Sequence, residues 1–453
     1  MVSATLFIAI AYLAFVAFVG GTHLSFHPPK VVDKLNVDDK LNLTITFHDI
    51  KKPFEHVIWS TESEPSNVLS AELSSVQCQG RINISCNGTL QVEGLFLGFG
   101  KVFILEKNVT SQKVRKLKPP LEVVVVRQDK VINKVFTAFV ATIVTINYIN
   151  MGCALDIGVV KKVLKRPIGP AVGFVCQFLV MPLVSYGVGY LLFEDPVLRL
   201  GLFTFGCSPG GGASNMWTVL LGGNLNLSIT MTFVSTLAAL ATIPLWLFTL
   251  GKTILEGTNI VIPYSNILIS LASLTIPIGL GLLIQRYFPK VASRSKKILA
   301  PICIIMIIGI IILASVANSY MFYMLTWQMV IAASLSVWTG FIAGALASMV
   351  FRFPTTDMVA VAVETGIQNS GIAFVLLSYT LKPPVSEMAS VVPVAGSIIT
   401  PIPLFVIYCY QRFRNCCFKT DKLELQAINS KKSVDTSSVK GFDNLAQQSD
   451  INY

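Results

Sequence analysis

Between residues 131 and 411 the chain holds nine apolar stretches, at about 134–156, 168–193, 198–222, 226–251, 262–285, 298–318, 327–350, 357–381 and 387–411. A helix needs about 20 apolar residues to cross a bilayer, and every stretch reaches that length. In lipid each backbone polar group must be paired within its own span, so the spans are expected to be helices of a polytopic, all-α membrane region. Charge agrees with this: 13% of the residues are charged, against about 25% in soluble chains. The formal net charge of +11 reads as the Lys and Arg excess that membrane proteins keep on the cytosolic side, and calls for no nucleic acid. Membrane lipid is the solvent this chain implies.

Loop charge orients the spans. With the amino terminus outside, the internal loops hold Lys161, Lys162, Lys165 and Arg166, then Arg286, Lys290, Arg294, Lys296 and Lys297, then Arg352. The external loops and their edges hold Arg199, Lys252 and Lys382. That asymmetry predicts an extracellular amino terminus and a cytosolic carboxyl terminus.

Residues 1–21 contain an apolar run, Leu6 to Val19, followed by Gly20, Gly21 and Thr22. The run is too short to span and reads as a signal peptide, with an uncleaved signal anchor as the alternative. Residues 22–130 are polar, with β-prone runs at Leu41–Phe47, His56–Trp59, Leu90–Leu97, Lys101–Leu105 and Leu121–Val126. They predict a small all-β extracellular domain, a sandwich for which an immunoglobulin-like arrangement is one form. Four sequons place candidate glycans on Asn42, Asn83, Asn87 and Asn108. Cys78 and Cys86, alone in this segment, would pair as a disulfide in an oxidising lumen; two free thiols are the alternative. Residues 412–453 form a polar tail expected to be disordered in the cytosol. Cys416 and Cys417 at its membrane edge are either palmitoylation sites or incidental thiols.

Two spans break the pattern of a continuous apolar helix. In the third, Cys207-Ser-Pro-Gly-Gly-Gly-Ala-Ser214-Asn215 puts a proline, three glycines and two polar side chains near mid-membrane. In the eighth, Glu364-Thr-Gly-Ile-Gln368-Asn369-Ser370-Gly371 has the same character. Proline removes a donor and glycine adds backbone freedom, so both helices are expected to unwind there. Unwound backbone persists at that depth only where protein buries it or a cavity borders it. Glu364 is the one acidic residue well inside a span, and no Lys or Arg lies deep enough to pair with it. A metal cation or a proton must offset its charge. The two spans are five apart and so run in opposite directions, as an inverted repeat requires. Carbonyl, hydroxyl, amide and carboxylate oxygens suit a hard cation such as Na⁺. Half-helix amino termini at Pro209, Gly210 and Gly211, and at Asn369 and Ser370, would face an anionic substrate.

At these segments the chain resembles the sodium/bile acid cotransporter (bile acid:sodium symporter) family. The resemblance rests on Gln177-Phe-Leu-Val-Met-Pro182, Pro209 to Asn215, Ser228, Thr232 and Glu364 to Ser370, and covers about residues 131 to 411. It implies one sodium held by Ser214, Asn215, Ser228, Thr232 and Glu364. A second would be held by Gln177, Glu364, Thr365, Ile367 and Gln368, partly through carbonyls. It also implies a core domain with two crossing broken helices and a panel made mainly of the fifth and sixth spans, as in the nine-span animal form. The external segment of about 110 residues departs from typical bile acid carriers and is similar to the animal branch with a large glycosylated ectodomain, whose substrates are poorly defined.

The expected function is sodium-coupled symport of an organic anion, such as a bile acid, steroid sulphate or smaller carboxylate, by alternating access at the plasma membrane, with no cofactor beyond Na⁺ as coupling ion. Two alternatives stay open: a transporter-fold receptor or adhesion protein acting through its ectodomain, and a proton-coupled carrier. An enzyme is not expected: His23, His27, His48 and His56 lie outside the spans, and no metal-ligand cluster or nucleophile–base arrangement stands out.

Overall fold

The computed structural model describes residues 23–27, 31–48, 57–74, 76–79, 85–109, 112–128, 131–155, 157–258, 260, 264–294 and 319–414. The signal segment, Asn83, His56, the sixth apolar stretch, Cys416, Cys417 and the tail beyond residue 414 lie outside these residues.

Residues 23–126 fold as two β-sheets. The strands are β1 His23–His27, β2 Val31–Asn36, β3 Lys40–His48, β4 Val57–Glu64, β5 Leu69–Leu73, β6 Gln77–Gln79, β7 Ser85–Gly94, β8 Gly98–Asn108, β9 Val114–Lys116 and β10 Leu121–Val126. One sheet runs β1-β3-β7-β5 with β6 also on β7; the other runs β2-β10-β8-β4 with β9 also on β8. All neighbours are antiparallel except β2 and β10. Successive strand side chains face opposite sides of a sheet. Leu43, Ile45 and Phe47 of β3 and Leu90 and Val92 of β7 therefore meet Val102 and Ile104 of β8 and Leu121, Val123 and Val125 of β10 in one core. Cys78 and Cys86 stand opposite each other across β6 and β7 and form a disulfide. Asn42, Asn87 and Asn108 are exposed.

The helices follow: α1 Val131–Ala154, α2 Ile157–Leu164, α3 Ile168–Leu192, α4 Pro196–Cys207, α5 Ala213–Leu220, α6 Leu225–Ile254, α7 Tyr264–Tyr287, α8 Ser319–Met324, α9 Trp327–Val350, α10 Thr355–Gly366, α11 Ser370–Thr380 and α12 Val385–Arg414. Among the described residues α3, α6, α9 and α12 are long and apolar enough to cross a membrane, and α1 with α2 forms a bent pair that also passes. The third and eighth apolar stretches are each split in two, into α4 with α5 and α10 with α11. The basic side chains Lys161, Lys162, Lys165, Arg166, Arg286, Lys290, Arg294 and Arg352 are all exposed.

The first span packs against one of the two that the resemblance assigns mainly to the panel. The main partner of α1 is α7, the fifth span. A Cβ on Gly152 would overlap the carbonyl of Ile278, and one on Gly281 would overlap that of Ile149, so glycine on both helices brings the backbones together.

Candidate functional site

The breaks in α4–α5 and α10–α11 meet. Pro209 has no N–H to donate and the glycines after it favour no helix, so α4 stops at Cys207. The backbone groups freed by both breaks pair with each other: Gly211 N–H donates to the Ile367 carbonyl at 2.8 Å, and Asn369 N–H to the Pro209 carbonyl at 2.9 Å. Gly210 and Gln368 thus form a short antiparallel bridge deep in the helical region. This answers the accounting that buried backbone imposes.

Glu364, in the last turn of α10, is 1% exposed beside that bridge. Its Oε2 accepts from Ser214 Oγ of α5 at 2.6 Å and from Ser228 Oγ of α6 at 3.3 Å. Ser228 Oγ also lies 2.9 Å from Asn215 Oδ1, and Thr218 Oγ1 donates to Ser228 at 3.2 Å. Thr232 Oγ1 sits 3.4 Å from Ser214 Oγ and donates to the Ser228 carbonyl at 3.0 Å. Ser214, Asn215, Ser228, Thr232 and Glu364 are therefore brought together. The set is rich in acceptors and poor in protons: a serine hydroxyl has one hydrogen, and that of Ser228 faces both Asn215 and Glu364.

The other expected set is only partly assembled. Gln177, 2% exposed, donates through Nε2 to the Ser208 carbonyl and to Gln368 Oε1, each at 2.7 Å, touching both broken segments at once. Gln368 Nε2 donates to the Thr365 carbonyl at 2.9 Å. The Thr365 hydroxyl points elsewhere, donating to Val361 of its own helix at 2.8 Å and lying against Gly344 of α9. The Ile367 carbonyl is engaged in the crossing.

At this site two buried acceptors have no hydrogen-bond partner, Gln177 Oε1 and Glu364 Oε1. Both residues border one cavity of about 10 Å³, lined also by Gly173, Phe174, Met231 and Ser235. That is room for about one water-sized sphere. A buried carboxylate oxygen and an amide oxygen left unpaired beside such a space fit a small hard cation.

Among the candidate substrate positions, Asn369 caps α11: its Oδ1 accepts from Ile372 N–H at 3.1 Å, and its Nδ2 donates to Tyr148 of α1 at 2.7 Å. Ser370 begins α11, and Pro209, Gly210 and Gly211 form the other arm of the crossing. Sequence reading missed Thr218, although it lies one helical turn from Ser214 on α5, a spacing that marks one helix face. Tyr148 and Trp246 carried no local signal. Among the described residues no three His, Cys, Asp or Glu side chains converge as a metal cluster.

The Sodium Bile acid symporter family model matches residues 141–324. The ileal sodium/bile acid cotransporter of Mus musculus is 28% identical over 323 residues, 69% of this chain and 91% of that protein. Its Homo sapiens counterpart is 30% identical over 270 residues, 59% of this chain and 77% of that protein. P3 protein of Homo sapiens is 29% identical over 251 residues, 55% of this chain and 53% of that protein. The family is one of transporters that imply sodium and bile acid or other organic anion substrates, and its members are multi-pass integral membrane proteins. A crossing of two broken helices around a buried glutamate, joined to these matches, leads to one conclusion: the chain belongs to the Sodium Bile acid symporter family.

Proposed function

We propose that the protein is a sodium-coupled symporter of an organic anion, working by alternating access. The observation that carries this is Glu364: a carboxylate buried at the crossing, with Oε2 held by Ser214 and Ser228 and Oε1 unpartnered beside a water-sized cavity. A carboxylate at that depth costs at least about 2.5 kcal/mol unless it is matched. Na⁺ held by Glu364 with Ser214, Asn215, Ser228 and Thr232, and a second ion near Gln177, Gln368 and the carbonyls of Thr365 and Ile367, would match it. Coordination from both broken spans would favour the crossed arrangement. The amino termini of α5 and α11, with Pro209, Gly210, Gly211, Asn369 and Ser370, would then face the anionic group of a bile acid, steroid sulphate or smaller carboxylate. Binding energy thus couples two solutes, and the sodium gradient drives the cycle with no covalent step.

The reading extends to the whole chain as nine spans in an inverted repeat, with a core and a panel, at the plasma membrane. The exposed basic loops support an external amino terminus and a cytosolic carboxyl terminus. Exposed Asn42, Asn87 and Asn108 support glycosylation of an external domain behind a signal peptide. The strand order β1-β3-β7-β5 against β2-β10-β8-β4 supports an immunoglobulin-type sandwich, whose sheets run ABED and GFC.

The test is uptake of a panel of labelled organic anions by cells expressing the protein, in sodium medium and with sodium replaced by choline. Sodium-dependent uptake of at least one anion, abolished by Glu364→Gln, is expected. Equal uptake in both media, unaffected by Glu364→Gln, would overturn the proposal.

A further inference from the structure

Gln177 lies in a part of α3 that is not α-helical. Residues Cys176–Val180 form a π turn, closed by Met181 N–H donating to the Cys176 carbonyl, five residues back. Such a turn inserts one residue and is costly unless something holds it. Sequence supplies the cause. Pro182 has no N–H, so the Phe178 carbonyl four residues before it loses its α-helical donor, and the proline ring crowds that carbonyl. The extra residue relieves the crowding, but the carbonyl still needs a donor from elsewhere, because an unpaired polar oxygen in an apolar setting is costly.

The missing donor comes from another helix. The Trp246 indole N–H of α6 donates to the Phe178 carbonyl at 2.8 Å. Trp246, two residues after Pro244, is followed directly by a second π turn, Leu247–Gly251. Two locally rewound helices are thus pinned together at one indole. One residue before the pinned carbonyl stands Gln177, whose amide reaches Ser208 in one broken span and Gln368 in the other. Without the π turn the side chains ahead of Pro182 would rotate by about 100° relative to those after it, one residue's worth of helix. Gln177 would leave the crossing.

We infer that Trp246 is a positioning residue for sodium binding: by pairing the carbonyl that Pro182 orphans, it holds the π turn that aims Gln177 at the crossing and the adjoining cavity. This rests on the proposed role of Gln177 as a sodium ligand. Trp246 itself touches neither Glu364 nor any hydroxyl of its cluster through a hydrogen bond in the structure; its one side-chain donor goes to Phe178.

The test is a sodium titration of thermal stability on the purified full-length protein, comparing wild type, Gln177→Ala, Trp246→Phe and the double variant Pro182→Ala/Trp246→Phe. Trp246→Phe keeps the ring and removes the N–H. It is expected to raise the sodium concentration for half-maximal stabilisation about tenfold, as Gln177→Ala does, the change that accompanies about 1.4 kcal/mol. The double variant restores a backbone donor for Phe178 and separates structure from positioning. It is expected to recover sodium-free stability and keep the weakened sodium response, because the helix returns to α geometry and Gln177 turns away. Recovery of the sodium response in the double variant would overturn the inference, as would an unchanged titration in Trp246→Phe beside a weakened one in Gln177→Ala. An unchanged titration in Gln177→Ala would overturn the ligand role itself. Should Trp246→Phe not fold alone, the double variant decides the matter.

Discussion

Glycine at position 210 follows from Glu364. A Cβ there would overlap Glu364 Oε1, the oxygen without a partner, whereas a Cβ on Gly212, two residues on, would meet nothing within 4 Å. Gly212 has φ −57 and ψ −20, open to any residue. The two neighbours therefore separate conformational freedom from close approach. Gly210→Ala is expected to displace the carboxylate from its partners and weaken sodium-dependent stabilisation by about tenfold, since overpacking a filled site costs about 1–3 kcal/mol. Gly212→Ala is expected to leave the sodium response unchanged and to add up to about 1 kcal/mol of stability by restricting the unfolded chain. Sodium titrations followed by thermal shift check both. Equal responses from the two variants would mean that Glu364 does not need the space Gly210 leaves.

At the scale of elements, α1 and α7 meet through Gly152 and Gly281, each set against the other's backbone. Small residues that let helices approach are a common basis of association in lipid, where apolar area alone gives little drive. Gly281→Leu is expected to push the pair apart and lower stability by about 2 kcal/mol or more. Gly279→Leu, at a position open to at least 4 Å, is expected to be neutral; thermal unfolding of the two variants measures the contrast. The breaks in α4–α5 and α10–α11 were legible because proline, glycine and polar residues fall together in otherwise apolar runs. Ser214 was legible in the third-span break, whereas the hydroxyls of Ser228 and Thr232 were legible only through the family resemblance. The π turn was not legible: Pro182 is plain in the sequence, but the donor that completes the turn is 68 residues from Phe178. In the β domain, the run Leu90–Leu97 was read three residues too far, because β7 stops at Gly94 and the chain turns before β8. Strand β2 escaped notice because its partner is β10, a pairing that closes a loop of nearly the whole domain. Strand β9 escaped because its three residues, Val-Arg-Lys, are all exposed and show no alternation of burial.

At the scale of the molecule, the sequence divides cleanly into a polar β domain and an apolar helical one, but composition says nothing of how they join. The join is made by Arg127, the first residue after β10. Its guanidinium lies over the Tyr320 ring of α8, 4.3 Å from the centroid, and its Nε is 3.8 Å from Glu387 Oε1 in the first turn of α12. Both charged side chains are less than one-fifth exposed. Helix α12 in turn packs against α4 and α11, one half of each broken span. The β domain is thereby fastened to the helix that backs the crossing. A pair shielded from water to this degree should show real coupling, unlike Lys101 with Glu122 on the sheet surface, where both side chains are about half exposed. A double-mutant cycle of Arg127→Ala and Glu387→Gln, read by denaturant or thermal unfolding, is expected to give a coupling energy of about 1 kcal/mol. The same cycle on Lys101 and Glu122 should give near zero. Arg127→Ala should also speed proteolysis of the segment between β10 and α1, with sodium-dependent stabilisation retained because no proposed sodium ligand is touched. Coupling at Arg127 no larger than at Lys101 would mean that this pair does not fasten the β domain to the helices.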